Sequence, residues 1–110
     1  MKQGDIYWIQ LEPSVGKEQI GLRPCVIISG NGLNSIVGIS IICPLTKIVK
    51  NYKGCVVLHP NKKNQLKKTS EVLVHQIRIV DHGRFKNKIG EISSEEIQLI
   101  HEGLRLILKY

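Results

Sequence analysis

The sequence predicts a mainly β domain: a small, barrel-like antiparallel sheet followed by one C-terminal helix. Three observations predict it. Five or six short apolar segments are separated by turn-forming stretches, no strand–helix–strand alternation or internal repeat occurs, and only the last eighteen residues carry helical spacing.

The first strand is "GDIYWIQL" (residues 4–11), where Ile6 and Trp8 share one face and Asp5 and Tyr7 the other, before Ile9 and Gln10 break the alternation. Trp8 is expected in the core. "EPSVGKEQIG" follows, rich in turn formers and long for a hairpin, a length at which loops are often functional. "RPCVIISG" is the second strand; Pro24 lacks an N–H and belongs at its first residue or its edge, ahead of β-branched Val26, Ile27 and Ile28. "NGLNS" is read as a turn. "IVGISIICPLT" and "GCVVLHP" are strands three and four, and "SEVLVHQIRIVD" is a fifth, whose change of register near His75 and Gln76 implies a bulge or bend. "HGRFKN" is a turn or a single helical turn, and "IGEIS" a short strand. The final segment opens on a capping box, Ser93 with Glu96, and spaces Ile97, Ile100, Leu104 and Ile107 along one helical stripe. Leu99, Leu106 and Tyr110 fall off that stripe, which fits a second subunit against the helix or isolated exposed apolar residues.

With 110 residues the chain is expected to be one domain, spanning residues 1–110. A hydrophobic content of 42% with 23% charged residues argues against a disordered chain. The longest apolar runs fall well short of the roughly 20 residues that cross a bilayer, and "MKQGDIYW" has no signal-peptide apolar core, so a cytoplasmic protein with no membrane partner is expected. Cys25, Cys43 and Cys55 match no paired metal-ligand spacing and read as small core residues; the four histidines form no metal-binding pattern. Neither a metal nor another cofactor is expected.

Charge is the first pointer to a partner. The net charge is +7, and from Lys47 to Ser70 seven lysines occur without one acid, whereas Glu95, Glu96 and Glu102 lie near the C-terminus. Such a run is commonly a solvated surface. Concentrated on one face, it makes nucleic acid the first partner to test. Arg23 is the second pointer: a guanidinium stays charged and is costly to desolvate, so at the entry to a core strand it needs either an acid such as Asp5 or Glu18 or an anion to bind.

"GDIYWIQLEPSVGKEQIGLRPCVIIS", "CPLT" and "LKKTSEVLVHQIRIVDHGRF", in this order and spacing, resemble the MazF/PemK/Kid family of toxin endoribonucleases from bacterial toxin–antitoxin modules. The resemblance covers nearly the whole chain. It implies an SH3-like barrel with a C-terminal helix, as also in the related CcdB-like toxins, a homodimer, and cleavage of single-stranded mRNA in the bacterial cytoplasm without a metal. It also implies a cognate antitoxin that lays an acidic, partly disordered segment across the basic groove. The family's catalytic arginine and threonine fall on Arg23, in "RP", and Thr46, in "PLT"; its RNA-lining residues fall on Lys17, Glu18, Gln19, Ser70 and Gln76. Lys50 and Lys53 join them for the RNA backbone. Lys17 and Ile20 depart from the commoner small hydroxylated residue and glycine, a departure that bears on which RNA sequence is recognised.

Metal-free RNA cleavage uses the substrate's 2′-hydroxyl as nucleophile, leaving a 2′,3′-cyclic phosphate and a 5′-hydroxyl. The protein must move two protons and stabilise charge on phosphorus. The planar fork of Arg23 suits the last task, and Thr46 can donate its hydroxyl to the same phosphate. Proton transfer is left open, since arginine is a poor general base and His59 and His75 read as packing residues. The rival readings are a non-catalytic toxin on the same fold that acts on a protein target such as DNA gyrase, and a plain nucleic-acid-binding barrel.

Overall fold

The computed structural model describes residues 1–11, 21–36 and 38–109. Among them seven strands form one antiparallel sheet: β1 (Asp5–Leu11), β2 (Gly21–Ile27), β3 (Ile39–Thr46), β4 (Val56–Leu58), β5 (Ser70–Val72), β6 (Arg78–Asp81) and β7 (Phe85–Glu91). Their order is β4-β5-β3-β2-β1-β7, with β6 beside β5 on the same edge of β3. The sheet is barrel-like without closing, and β4 and β7 stand at its two ends.

The broken alternation in β1 has a simple cause: both faces of the strand are covered. Ile6 enters one apolar cluster with Val26, Cys43, Leu45 and Val72, while Ile9 and Leu11 enter another with Cys25, Ile27, Ile42 and Phe85. A strand buried on both sides reads as apolar throughout. Trp8 is the exception and corrects its expected place in the core, being 37% exposed.

Strand five is interrupted, as its register implied, by a 3₁₀ turn at Val74–Gln76. Leu45 pairs with Val72 and Ile42 with Arg78, so the three residues of that turn are the ones inserted between β5 and β6. Pro44 lies at the gap, where its missing N–H costs no ladder bond. Pro24 is at an edge, not at a strand start: β2 begins at Gly21 opposite Leu11, but pairing with β3 begins only at Cys25 opposite Pro44.

The "NGLNS" segment is a correction, since it forms a short helix, α1 (Asn31–Ile36). Asn34 explains why. Its buried side chain accepts the hydroxyls of Ser29 and Ser40 and donates to the Ser29 carbonyl at 3.0 Å, winding the segment against β3.

Helix α2 (Ser94–Lys109) begins with the reciprocal capping box: the Ser93 N–H donates to Glu96 Oε1 at 2.8 Å and the Glu96 N–H to Ser93 Oγ at 3.1 Å. Its stripe packs on the first cluster through buried Ile97 and Ile100, with Leu104 and Ile107 at the margin. Each fully buried aliphatic side chain of this kind contributes about 1.5–3 kcal/mol. Glycine sits mid-helix at Gly103 because the Gly54 carbonyl oxygen lies 1.9 Å from where a Cβ would stand.

Candidate active site

Where β2 and β3 part, a cleft of about 690 Å³ opens between the ends of these strands, β1, β7 and the chain before β5. Extending the β2–β3 register two positions beyond Cys25 opposite Pro44 sets Arg23 across from Thr46. Both line the cleft, and so does Ser70. The motifs "RP" and "PLT" are thus two sides of one opening, carried there by two strands whose pairing ends at Cys25 and Pro44.

Local structure places and orients these groups. Arg23 is on the exposed part of β2, with Pro24 restricting the backbone beside it. Thr46 Oγ1 accepts the Ile48 N–H at 3.2 Å, which orients the oxygen while leaving the hydroxyl proton to donate. Ser70 is buried and donates to the Lys68 carbonyl at 3.0 Å, fixing the chain that carries Lys67 and Lys68 into the cleft.

That wall is built by two asparagines. Asn64, fully buried, accepts the N–H groups of Asn61 and Leu66 and donates to the His59 carbonyl at 2.9 Å; Asn61 Oδ1 accepts from Lys63 and Asn64. These bonds fold "NKKNQL" into a compact turn, with Gln65 at φ +56°, and direct Gln65 to Lys68 toward the opening. The turn then rests on β7 at Gly90, where a Cβ would stand 2.3 Å from the Asn64 carbonyl oxygen.

Arg23, Lys47, Lys67 and Lys68 are the cations of the cleft, and among the described residues no acid lines it. Trp8, Leu22 and Ile48 add an exposed apolar rim. Cation and aromatic together suit a nucleic-acid strand, whose phosphates take the first and whose bases take the second.

Of the other predicted residues, Lys50 and Lys53 are exposed on the loop after Thr46 but do not line the cleft, and Gln76 ends the 3₁₀ turn away from it. Lys17, Glu18 and Gln19 lie outside the described residues. Lys47, Lys67 and Lys68 were not singled out, although their closeness in sequence to Thr46 and Ser70 marks them. Asp5, one of the acids considered for Arg23, is paired with Lys88 at 3.3 Å. Neither His59 nor His75 lines the cleft: His59 faces the Thr69 hydroxyl at 3.5 Å and His75 the Cys55 thiol at 3.4 Å.

None of the three cysteines is among the residues that line the cleft. Burial pushes the Cys43 thiol up to about 12, and burial followed by the neighbouring Cys43 raises Cys25 further. Cys55, half-buried, is raised chiefly by burial as well. Among the described residues no group of three or more His, Cys, Asp or Glu could hold a metal ion, and no helix is long and apolar enough to cross a membrane.

Comparison with known proteins gives the family and the fold. The chain is 31% identical over 109 residues to the endoribonuclease MazF of Staphylococcus saprophyticus, an alignment covering 98% of this chain and 91% of that protein. The fold matches the crystal structure of MazF from Deinococcus radiodurans with a TM-score of 0.84 at 26% identity, covering 100% of this chain and 97% of that one. It also matches a MazE–MazF complex from the same organism, with a TM-score of 0.77 at 24% identity and coverage of 99% and 96%. Residues 2–108 fit the family described as PemK-like, MazF-like toxins of type II toxin–antitoxin systems, and the chain belongs to that family.

Proposed function

We propose that this chain is a single toxin domain that cleaves single-stranded mRNA, sequence-specifically and without a metal, in the bacterial cytoplasm. The observation that carries the reading is that Arg23 and Thr46, at the parting ends of adjacent strands, line one cationic cleft. Arg23 binds the scissile phosphate and stabilises charge as the 2′-oxygen attacks phosphorus; the Thr46 hydroxyl donates to the same phosphate. The P–O5′ bond breaks, giving a 2′,3′-cyclic phosphate and a 5′-hydroxyl. Family membership and the endoribonuclease name of the staphylococcal relative support the activity.

Trp8 serves as the stacking surface for a base, being the only aromatic among the described residues that line the cleft. Trp8→Ala is expected to weaken binding of a single-stranded RNA by about 1–3 kcal/mol, with Trp8→Phe close to wild type. Binding isotherms with a fluorescent oligonucleotide measure this. Unchanged affinity in Trp8→Ala would remove the base from that wall.

Lys67 and Lys68 neutralise RNA phosphates. The slope of log affinity against log salt should fall by about 0.7 for each of Lys67→Ala and Lys68→Ala, as for counterions released from a single strand. Titrations across a salt series give it directly, and slopes equal to wild type would place the strand elsewhere.

A cognate antitoxin with an acidic, partly disordered segment covers the same cleft, and the toxin acts as a homodimer. Family membership supports both, and the cations that line the cleft suit an acidic segment. Incubation with a long single-stranded RNA in excess EDTA, with mapping of the fragment ends, tests the activity. Discrete cuts at one short motif, strongly slowed in Arg23→Ala and Thr46→Ala, are expected; intact RNA with wild-type protein would leave a binder or a toxin directed at a protein.

A further inference from the structure

Glu71 has no place in the chemistry above, yet it is fully buried next in sequence to Ser70, which lines the cleft. It stands opposite Thr46 on β3 and opposite Val57 on β4. Its carboxylate binds the loop that follows Thr46: Oε1 accepts the Lys50 N–H and Oε2 the Tyr52 N–H, each at 2.9 Å. Between those two residues Asn51 adopts φ +56°, so the flanking N–H groups converge on one anion. Concave pairs of backbone N–H groups bind phosphates and other anions elsewhere; here the protein fills the position with its own side chain.

Burying a carboxylate is a costly way to gain stability, and apolar side chains of similar volume often do as well. What Glu71 provides is a position. The loop is held at its middle by the carboxylate and at its far end by Gly54, whose carbonyl lies against Gly103 of α2. The near end is bonded to Thr46 itself, through the Ile48 N–H on Oγ1. The side chains of Lys47, Lys50 and Lys53 remain exposed.

Resting on the ribonuclease reading, we infer that Glu71 is a positioning residue for RNA cleavage. It fixes the loop of residues 47–55 so that the Ile48 N–H holds the Thr46 hydroxyl aimed at the scissile phosphate. The effect belongs to kcat more than to KM, because a loosened loop still carries its lysines while the hydroxyl loses its direction.

Two measurements test this on the full-length protein. In Glu71→Gln one oxygen becomes an NH₂ that cannot accept an N–H, and amide hydrogen exchange at Lys50 and Tyr52 is expected to accelerate about tenfold or more, with β2 and β3 unchanged. On a single-stranded RNA containing one cleavage site, kcat should fall about tenfold while KM stays within about threefold. In a Thr46→Ala background Glu71→Gln should have no further effect on kcat, since both act on one hydroxyl. Glu71→Asp keeps the charge but withdraws the carboxylate by one methylene; it should give an intermediate loss, and it carries the same comparison if Glu71→Gln does not fold.

Retained protection of both amides would overturn the clamp. Faster exchange with full activity, or losses that multiply in the Thr46→Ala background, would leave Glu71 a purely structural residue. Wild-type protein that orders the loop but does not cut RNA would instead count against the ribonuclease reading, with the exchange result standing separately.

Discussion

Arg23→Ala is expected to lower the single-turnover rate of RNA cleavage by about 10²–10³, the loss of roughly 3–4 kcal/mol of transition-state stabilisation. The reason lies in where charge develops. As the 2′-oxygen bonds to phosphorus, the non-bridging oxygens gain negative charge beside the guanidinium, whose two parallel N–H groups match their spacing. Arg23→Lys should recover little, because an ammonium offers a point charge without the fork. Folding should be nearly unaffected, with a change within about 0.5 kcal/mol, since Arg23 is on the exposed end of β2. Thermal melts separate this from a structural ion pair. A variant that melts early and still cleaves would show that Arg23 serves the fold.

The second large effect is on stability. Alanine in place of glycine inside a helix ordinarily gains about 1 kcal/mol, so Gly103→Ala would stabilise α2 if the helix stood alone. It does not. The new Cβ would fall 1.9 Å from the Gly54 carbonyl oxygen, a backbone atom that cannot swing aside, and Gly54 itself needs its φ of +87° to make the turn. Overpacking of this kind typically costs about 1–3 kcal/mol. For a chain of this size that corresponds to a fall in Tm of roughly 4–8 °C per kcal/mol. Gly32→Ala is the matched control, because its added Cβ meets no atom within 4 Å beyond its chain neighbours and its own helix backbone. Equal Tm values for Gly103→Ala and wild type would mean that the loop and helix do not pack as closely as described.

Much of this architecture is legible in the sequence, and what is hidden has identifiable physical causes. Helix α2 could be read because its stripe and its capping box are local, each within four residues. The interruption of strand five could be read from a break in alternation. Trp8 was misplaced because period-two alternation assigns it to the face of Ile6 but cannot tell where along that face the core ends and the cleft begins. The "NGLNS" helix was hidden because Asn34 looks like a turn former, and its role depends on serines at 29 and 40 that only tertiary contact brings to it.

The site divides in the same way. Arg23 and Thr46 stand out by motif, and adjacent strands β2 and β3 carry both to the cleft. Lys67 and Lys68 enter the cleft through a turn folded by Asn61 and Asn64, side chains whose bonding partners are not apparent from composition. Glu71 was invisible for a stronger reason. Nothing within "SEVLVHQ" marks its partners, and only the folded loop reveals two N–H groups converging on it.

The central claim is that this cleft promotes attack by the RNA's own 2′-hydroxyl, and one substitution in the substrate tests it. A single-stranded RNA containing the mapped cleavage site is compared, in excess EDTA, with the same strand carrying one 2′-deoxynucleotide immediately 5′ of the scissile phosphate. The all-ribose strand is expected to be cut to a fragment with a 5′-hydroxyl end, and the 2′-deoxy strand to bind normally and remain whole. Cleavage of the 2′-deoxy strand at the same bond and a comparable rate would contradict the mechanism and require a different nucleophile.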